Sequence, residues 1–249
     1  MINIVCLKWG TRYSAEWVNR LYTMVERNYN QEFKFWCCTE DPIGIRSEVN
    51  IIPLHTYDLE KWWWKLWFFS KEFPVKGKCL YFDLDTIIQN DITDLVNYNT
   101  DKPHFIKGSV WYRAGINLDT AYRINSSVIL WNTETIDTNI WEKFYLKKEY
   151  YINKYGTDDH YLEKNFDNYL KTIPIDWVYS RHMGFDDSVP DHLSDKYRLK
   201  IVYDEAMGKW HRLFYMPDRM LCLLNGTHSH LVPTCVRENI TKGLEKYWE

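Results

Sequence analysis

The sequence lacks the glycine-rich loops that commonly hold phosphates. It has 10 glycines among 249 residues, and none belongs to a Gly-x-Gly-x-x-Gly or Walker-type pattern, so a dinucleotide site or a P-loop is disfavoured. A Gly-x-Ser-x-Gly nucleophile elbow is also absent, which disfavours a hydrolase of that type.

The sequence also lacks a cysteine framework and a long apolar run. None of its six cysteines forms a Cys-x-x-Cys pair, and four lie in apolar, strand-like segments, as is typical of buried reduced thiols. The apolar opening at residues 2–7 is too short for a signal-peptide core, and no run approaches the length of a transmembrane helix. We therefore expect a cytoplasmic protein, with peripheral attachment to a membrane left open.

The sequence also has no large excess of basic over acidic residues, or of acidic over basic ones. The chain has 31 basic and 34 acidic residues and a formal net charge of −3, which gives no general attraction to nucleic acid. Aromatic residues are plentiful instead, with 13 Trp, 19 Tyr and 11 Phe. Aromatic faces stack on pyranose rings in sugar sites, although most aromatic residues belong to a core.

Strand-like and helix-like segments alternate in the first half of the chain, which favours an α/β sheet. The apolar segment 62–69 lacks the charged face of a membrane-surface helix, so it is predicted to be a buried helix. We expect one domain, 1–249, in which a nucleotide-binding half (1–100) and an acceptor half (101–249) share a continuous sheet. The predicted strands are 2–7, 33–38, 49–54, 78–83, 128–131, 199–203 and 221–224, and helices are predicted from Ala15 and around residues 140–145 and 161–170.

The most informative motif is the acidic pair Asp83 and Asp85, which follows the apolar segment 78–82. In a strand, side chains two apart share one face, so both carboxylates are expected within reach of one cation. Like charges beside an apolar strand are costly unless they are compensated. A divalent metal that holds a diphosphate would compensate them. The alternative is a pair of carboxylates bonded only to backbone amides or water.

Further polar residues complete a set suited to binding a nucleotide diphosphate through a metal. A second acidic pair lies at Asp158 and Asp159, and a histidine cluster lies late in the chain. Three basic residues follow or interrupt strand ends, where they could meet phosphates. The histidines are His228 and His230, and the basic residues are Lys8, Arg12 and Lys65.

Six segments, in order, resemble a known family. They span most of the chain, and each is weak alone, but their order makes the match more specific. The chain resembles GT-A-fold glycosyltransferases of the glycogenin and lipopolysaccharide galactosyltransferase family, and more closely its small bacterial and viral relatives. The segments are Leu7-Lys8-Trp9-Gly10-Thr11-Arg12-Tyr13, Thr39-Glu40-Asp41-Pro42, Trp63-Trp64-Lys65-Leu66, Leu80-Tyr81-Phe82-Asp83-Leu84-Asp85-Thr86, Asn125-Ser126-Ser127-Val128-Ile129-Leu130 and Gly156-Thr157-Asp158-Asp159.

The resemblance implies roles for particular residues. It implies catalytic roles for Asp158 and Asp159, and sugar binding by Asn125, Ser126 and Ser127. It implies metal binding by Asp83 and Asp85, completed by a late residue such as Asn225 or His228, with Mn²⁺ or Mg²⁺ as the cofactor. The implied nucleotide-binding residues are Lys8, Trp9, Gly10, Tyr13, Thr39, Asp41, Lys65, Asp83 and Leu84.

Three segments depart from the family pattern. Trp63-Trp64-Lys65-Leu66 stands where the family has Trp-Trp-Asn-Lys-Leu, with the Asn missing or replaced. Gly156-Thr157-Asp158-Asp159 stands where the family has Gly-Asp-Gln, and Asp158 could replace either the acidic or the amide member. The family also has a motif near the end of the chain, Phe-His-Gly-x-Pro-Lys-Pro, and this sequence has Leu224-Asn225-Gly226-Thr227-His228-Ser229-His230 there. Asn225 therefore stands at the position of the metal-binding histidine and Ser229 at that of the diphosphate-binding lysine. Either His228 or His230 supplies the missing ligand through a shifted loop, or the site lacks that ligand.

The resemblance implies transfer of a hexose from a nucleotide diphosphate sugar, UDP-linked in the main expectation, with retention of configuration. The acceptor could be a glycan, a lipid or a protein. Two alternatives stay open at this point. One is a non-catalytic protein that binds carbohydrate or nucleotide sugar, and the other is a phosphatase of the haloacid dehalogenase type, which also has an Asp-x-Asp at a strand end.

Overall fold

The structure is a computed structural model that describes residues 1–54, 57–108, 123–180, 182–184, 200–204, 209–213, 218–224 and 244–248. Within these ranges, no helix has both the length and the apolar character needed to cross a bilayer.

A mixed seven-stranded sheet forms the centre of the molecule, as the sequence predicts for an α/β protein. Its strand order is β3-β2-β1-β4-β7-β6-β8. The strands β1 to β4 run parallel, and β7 is antiparallel to both β4 and β6. The strands are β1 (Ile2–Lys8), β2 (Phe33–Thr39), β3 (Val49–Pro53), β4 (Lys78–Phe82), β6 (His104–Lys107), β7 (Ile124–Asn132) and β8 (Lys171–Thr172).

Smaller elements surround this sheet. Two three-stranded sheets have the orders β5-β13-β9 and β10-β12-β11. Their strands are β5 (Thr86–Ile88), β9 (Val178–Ser180), β10 (His182–Gly184), β11 (Lys200–Asp204), β12 (Lys209–Leu213) and β13 (Leu221–Leu223). The α-helices are α1 (Ala15–Asn28), α2 (Thr93–Asn97), α3 (Asn139–Leu146), α4 (Lys148–Tyr155), α5 (Asp158–Phe166) and α6 (Glu245–Trp248), and 3₁₀ helices span Lys61–Phe69 and Ile175–Trp177.

Both faces of the central sheet are buried, which explains why its strands have continuous apolar runs. Alternate residues of β1 belong to two different hydrophobic clusters: Ile4 packs with α1 on one face, and Val5 packs with the aromatic 3₁₀ helix on the other. The sheet is therefore the middle layer of three.

The aromatic segment Lys61–Phe69 is buried, as predicted, and forms a 3₁₀ helix. Phe68 stacks on Trp131 of β7, with ring centroids 5.7 Å apart and planes 10° apart. The segment is thus part of the core, and one charged residue, Lys65, is buried with it.

Most predicted elements are confirmed within a few residues. Helix α1 begins at Ala15, as predicted, and the side chain of Ser14 before it makes no capping hydrogen bond. Helices α2, α4 and α6, the short strands β5, β6 and β8 to β10, and strand β12 were not predicted. Strands of both halves share the central sheet, whereas the division of 1–249 into nucleotide and acceptor halves stays a prediction.

Candidate functional site

The predicted site residues meet at one edge of the central sheet. Because β1, β2 and β4 are parallel, the residues that follow them lie along the same edge. Strand β7 is antiparallel to β4, with Val128 opposite Phe82, so the beginning of β7 reaches this edge too. The backbone N–H of Asp83 donates to the Ser127 carbonyl at 2.8 Å. The topology therefore joins the acidic pair to the predicted sugar segment.

Asp83 and Asp85 lie in a turn between β4 and β5, not in a strand. The Thr86 N–H donates to the Asp83 carbonyl at 3.0 Å and closes the turn. Leu84 between them is buried in the hydrophobic core. The expectation that strand pleating places both carboxylates on one face is therefore wrong in its reason, because the chain has left the strand at Phe82.

Asp83 is held by two buried side chains. Lys65 Nζ lies 2.9 Å from Asp83 Oδ1, and the Tyr81 hydroxyl donates to the same oxygen at 2.5 Å. Both bonds are to Oδ1, and the Asp83 side chain remains 26% exposed. The carboxylate is thus fixed on its protein side while it faces solvent on the other, an arrangement suited to a ligand.

Asp85 is buried and accepts a hydrogen bond from the Tyr13 hydroxyl, which lies 3.1 Å from Oδ2. Burial raises the pKa of Tyr13 above its usual range, and the negative charge of Asp85, with a further contribution from Asp83, raises that pKa more. The Tyr13 hydroxyl therefore holds Asp85 in place, and the charges of both carboxylates raise the pKa of this one phenol.

Lys65 connects the acidic pair to β7. Besides Asp83, its Nζ donates to the Ser126 carbonyl at 3.2 Å and to Ser126 Oγ at 3.1 Å. Burial alone lowers the pKa of Lys65, but the carboxylates of Asp83, Asp158 and Asp159 outweigh burial and raise the pKa above its ordinary value. Lys65 is consequently a fixed buried cation at the centre of the cluster.

The second acidic pair begins helix α5. Thr157 caps this helix, and its side chain accepts a hydrogen bond from the His160 N–H at 3.3 Å. Asp159 Oδ1 accepts from the Ser126 N–H at 2.7 Å, and Asp159 Oδ2 lies 3.4 Å from the Asn125 amide nitrogen. Carboxylates are stabilised at a helix N-terminus by the unpaired N–H groups there. The pair is therefore both part of a helix start and a neighbour of β7.

Both carboxyls of this second pair have raised pKa values. For Asp158 the main cause is burial, with a smaller contribution from the charge of Asp83; for Asp159 it is burial followed by the charge of Asp158. Asp158 Oδ2 is buried and has no hydrogen-bond partner. A buried carboxylate oxygen without a partner is costly, so this atom is a candidate contact for a bound molecule.

Six of the predicted nucleotide residues, Lys8, Trp9, Gly10, Tyr13, Thr39 and Asp41, lie at the ends of β1 and β2 or on the loops that follow them, whereas Lys65 lies on the aromatic 3₁₀ helix and Asp83 and Leu84 lie in the turn after β4. The buried Lys8 donates from Nζ to the Asp41 carbonyl at 3.1 Å, and Thr39 Oγ1 accepts from the Asp41 N–H at 3.1 Å. Gly10 has φ of +66° and donates its N–H to the Glu40 side chain. These bonds join the two loops, while Trp9 packs, partly buried, against the core.

The predicted sugar residues alternate along β7. Ser126 is buried and bonded to Lys65, whereas Asn125 and Ser127 are partly exposed. Asn125 Oδ1 accepts from the Ser127 N–H at 2.9 Å. Asn125 and Ser127 are thus better placed than Ser126 to contact a ligand, because alternate residues of a strand point to opposite faces.

The acidic pair fits a hard divalent cation in its chemistry. Carboxylate oxygens are preferred ligands of Mg²⁺ and Mn²⁺, and Asp83 and Asp85 supply them at adjacent positions of one turn. No cluster of three or more His, Cys, Asp or Glu side chains placed to hold a metal occurs in the described part of the chain. The predicted ligands Asn225 and His228, and the alternative His230, lie outside the described residues.

Sequence reasoning missed the roles of Tyr81 and Glu40. Tyr81 is two residues before Asp83, and the alternation of β4 could have placed it on the buried face next to the aromatic helix. Glu40 is exposed and gave no comparable signal, because only the pairing of β1 with β2 brings it to Gly10.

No family model matches the chain. No curated protein matches it either. Solved structures do resemble it. The galactosyltransferase LgtC, in complex with donor and acceptor sugar analogues, matches with a TM-score of 0.60 and 13% identity over 98% of this chain and 93% of LgtC. An active-site mutant of LgtC matches with a TM-score of 0.58 and 12% identity over 98% and 95%.

The glycosyltransferase GlyE of Streptococcus pneumoniae TIGR4 matches with a TM-score of 0.54 and 16% identity over 73% of this chain. This chain spans about half of GlyE, 48% of its length, but nearly all of LgtC. At these identities the comparisons concern architecture. Taken with the mixed seven-stranded sheet, they show that this chain has a GT-A glycosyltransferase-like fold.

Proposed function

We propose that this protein is a metal-dependent glycosyltransferase that moves a hexose from a nucleotide diphosphate sugar, UDP-linked in the first instance, to an acceptor. The observation that supports the proposal most strongly is the cluster in which Lys65 joins Asp83 to Ser126 and β7. This cluster brings three segments of the sequence, 83–85, 125–127 and 158–159, to one edge of a GT-A-like sheet.

In this proposal Asp83 and Asp85 hold Mn²⁺ or Mg²⁺. The bound cation supplies Lewis acidity that offsets the negative charge of the leaving diphosphate. Tyr81 and Lys65 hold Asp83 in place, and Tyr13 does the same for Asp85. Such anchoring matters because residues that hydrogen-bond to a metal ligand set the orientation of that ligand.

The loops after β1 and β2 would form the nucleotide pocket. A Cβ atom added at Gly10 would have no heavy atom within 4 Å, so the backbone there is open to close approach by a ligand. Trp9 and Tyr13 offer aromatic surfaces beside it. Asn125 and Ser127 would bind sugar hydroxyls. Asp158 or Asp159 would orient the transferred sugar and stabilise positive charge that develops on it.

Retention of anomeric configuration is part of the proposal and rests on the family resemblance. Analysis of the product anomer by NMR tests it directly. The acceptor class is a glycan, a lipid or a protein, and acceptor arrays would separate these three.

The decisive experiment compares wild type with Asp85→Asn and with Asp101→Asn, a control at an exposed loop position. We expect Mn²⁺ with UDP-hexoses to raise the melting temperature of wild type and of the control, because a ligand that binds only the folded state stabilises it. Release of UDP should follow the same pattern, and Asp85→Asn should lose both effects.

Other outcomes would support the alternatives. Tight binding of a nucleotide sugar without UDP release would favour a non-catalytic binding protein. Hydrolysis of a generic phosphate ester with Mg²⁺ would favour a phosphatase. A thermal shift and UDP release unchanged by Asp85→Asn would overturn the metal role assigned to this residue.

A further inference from the structure

A cleft of about 460 Å³ opens on the surface formed by α4 and α5. Its volume lies in the range of small-molecule sites. It is lined by Lys147, Tyr150, Tyr151, Lys154, Tyr155 and Asn165. The cleft is distinct from the acidic cluster, since none of those carboxylates lines it.

Most of the lining comes from one face of α4. Positions 147, 150, 151, 154 and 155 recur at the spacing of a single helical stripe. In a core-facing helix such a stripe is buried, yet Tyr151 is the one buried residue within α4, and Tyr150 is 54% exposed. Tyr151 and Tyr155 of this stripe pack against the core, whereas the exposed Tyr150 and Lys154 are left to line the cleft.

The aromatic rings and Lys154 form an ordered group. The Tyr151 and Tyr155 rings stack with centroids 6.0 Å apart and planes 12° apart. Lys154 Nζ lies 5.3 Å from the Tyr150 ring centroid, 5.1 Å from that of Tyr155 and 3.1 Å from the Tyr150 hydroxyl. These contacts place a cation between two aromatic faces before any ligand arrives.

The polar lining favours an anion. Lys147 and Lys154 give the lining two positive charges and no carboxylate, although the whole chain has a net charge of −3. Asn165 on α5 donates its amide N–H to the Tyr161 carbonyl at 2.8 Å, which orients its amide oxygen as a possible acceptor for hydroxyl groups.

We propose that this cleft binds an acidic oligosaccharide, one with carboxylate or phosphate groups. The flat C–H face of a sugar ring would pack on Tyr150, and the acidic group would meet Lys147 or Lys154. The cleft is concave, which suits a chain of sugars better than the flat surface of a bilayer. A neutral sugar would offer no negative charge to the two ammonium groups, one of which, that of Lys154, already donates to the Tyr150 hydroxyl.

The cleft lies next to the acidic pair along the chain. Helix α4 ends at Tyr155, Gly156 follows with φ of +70°, and α5 begins at Asp158. The bound oligosaccharide would thus lie beside the segment that leads into the proposed catalytic helix. Its role as a remote part of the acceptor site rests on the proposed function, whereas the binding itself does not.

The test measures binding of a hyaluronan hexasaccharide by calorimetry, without donor and with EDTA present, so that the result is independent of catalysis. Maltohexaose is the neutral probe. We expect the hyaluronan fragment to bind and Tyr150→Ala and Lys154→Gln each to weaken binding about tenfold. The matched controls, Tyr145→Ala and Lys34→Gln, alter exposed residues outside the cleft and should leave binding unchanged.

Several results would overturn the proposal. Equal binding of both hexasaccharides would remove the role of the lysines. Binding of inositol hexakisphosphate that is unaffected by Tyr150→Ala, without hexasaccharide binding, would show a simple anion site. Binding to phosphatidylglycerol vesicles, with no hexasaccharide binding, would show a membrane surface. No binding by either hexasaccharide would also exclude the proposal.

Discussion

Lys65 Nζ lies 2.9 Å from Asp83 Oδ1, and the two side chains are 7% and 26% exposed. The contact crosses from the aromatic 3₁₀ helix to the turn after β4, so it joins the hydrophobic core to the candidate metal site. Burial of Lys65 is tolerated because Asp83 and Ser126 satisfy its ammonium group.

Replacing Lys65 with Met should destabilise the fold strongly. The change leaves the carboxylates of Asp83, Asp158 and Asp159 without their shared cation, and loss of one partner of a buried pair costs about 3–5 kcal/mol. Urea unfolding monitored by tryptophan fluorescence measures the loss. The control Lys71→Met removes an exposed pair with Glu142 and should cost less than about 1 kcal/mol. Similar losses for both variants would contradict a central role for Lys65.

The stability of the Asp158→Asn variant, compared with that of wild type at the same pH, should increase as pH rises. Burial raises the pKa of the Asp158 carboxyl above its unfolded value of about 4, so the folded state binds more protons than the unfolded state. The contribution of the Asp158 carboxyl to the free energy of unfolding of wild type is therefore greatest in acid, and it is lost as pH rises through the pKa of the folded state. Asparagine cannot ionise and avoids that loss.

Denaturant midpoints between about pH 4 and pH 8 test this prediction. Asp91→Asn is a control for which the pH dependence of stability should have the opposite sign. Asp91 accepts hydrogen bonds from Thr93, and these lower the pKa of its carboxyl. Wild-type Asp91 contributes stability above its unfolded pKa and loses it as pH falls. A stability difference for Asp158→Asn that does not vary with pH would contradict the prediction.

Tyr13→Phe should weaken Mn²⁺ binding by roughly tenfold, since it removes the hydroxyl that orients Asp85. Titration of Mn²⁺ followed by electron paramagnetic resonance measures affinity without reference to activity. Tyr22→Phe serves as the control, because the Tyr22 ring packs on Phe35 and makes no contact with the acidic pair. Unchanged affinity in Tyr13→Phe would show that Asp85 needs no such support.

Gly156→Ala should lower the free energy of unfolding by about 1–2 kcal/mol, the cost of placing an L side chain in the left-handed region. An added Cβ at Gly156 meets no atom within 4 Å, so backbone strain is the expected cause. Gly156→Asn should cost less, because asparagine tolerates this conformation. Equal losses in the two variants, measured by urea unfolding, would refute strain as the cause.

Much of the fold was predictable from local patterns. The apolar runs of β1, β2 and β4 and the single-face pattern of α1 gave their positions to within a residue or two. The short strands β5 and β8 were not predictable, since two or three residues show no period of their own and form only where a neighbour pairs with them.

The candidate site was predictable in its composition but not in its connections. Asp83, Asp85, Lys65 and Asp159 were identified from sequence, but the expected strand geometry of Asp83 and Asp85 was wrong. They lie in one turn, where Lys65 and Tyr81 hold Asp83 and Tyr13 holds Asp85. Likewise, the bonds of Lys65 to Asp83 and Ser126 were not predictable from the sequence, and its expected place near phosphates stays a prediction.

The sequence by itself determined the positions of the longer central strands, their buried character and which acidic pairs were candidates for chemistry, because these properties follow from side-chain type and local spacing. Only the tertiary structure decided that Lys65 lies between Asp83 and β7, and that Asp159 of α5 bonds to Ser126 of β7. Both depend on pairing between strands and helices far apart in the chain, and no local pattern encodes that pairing.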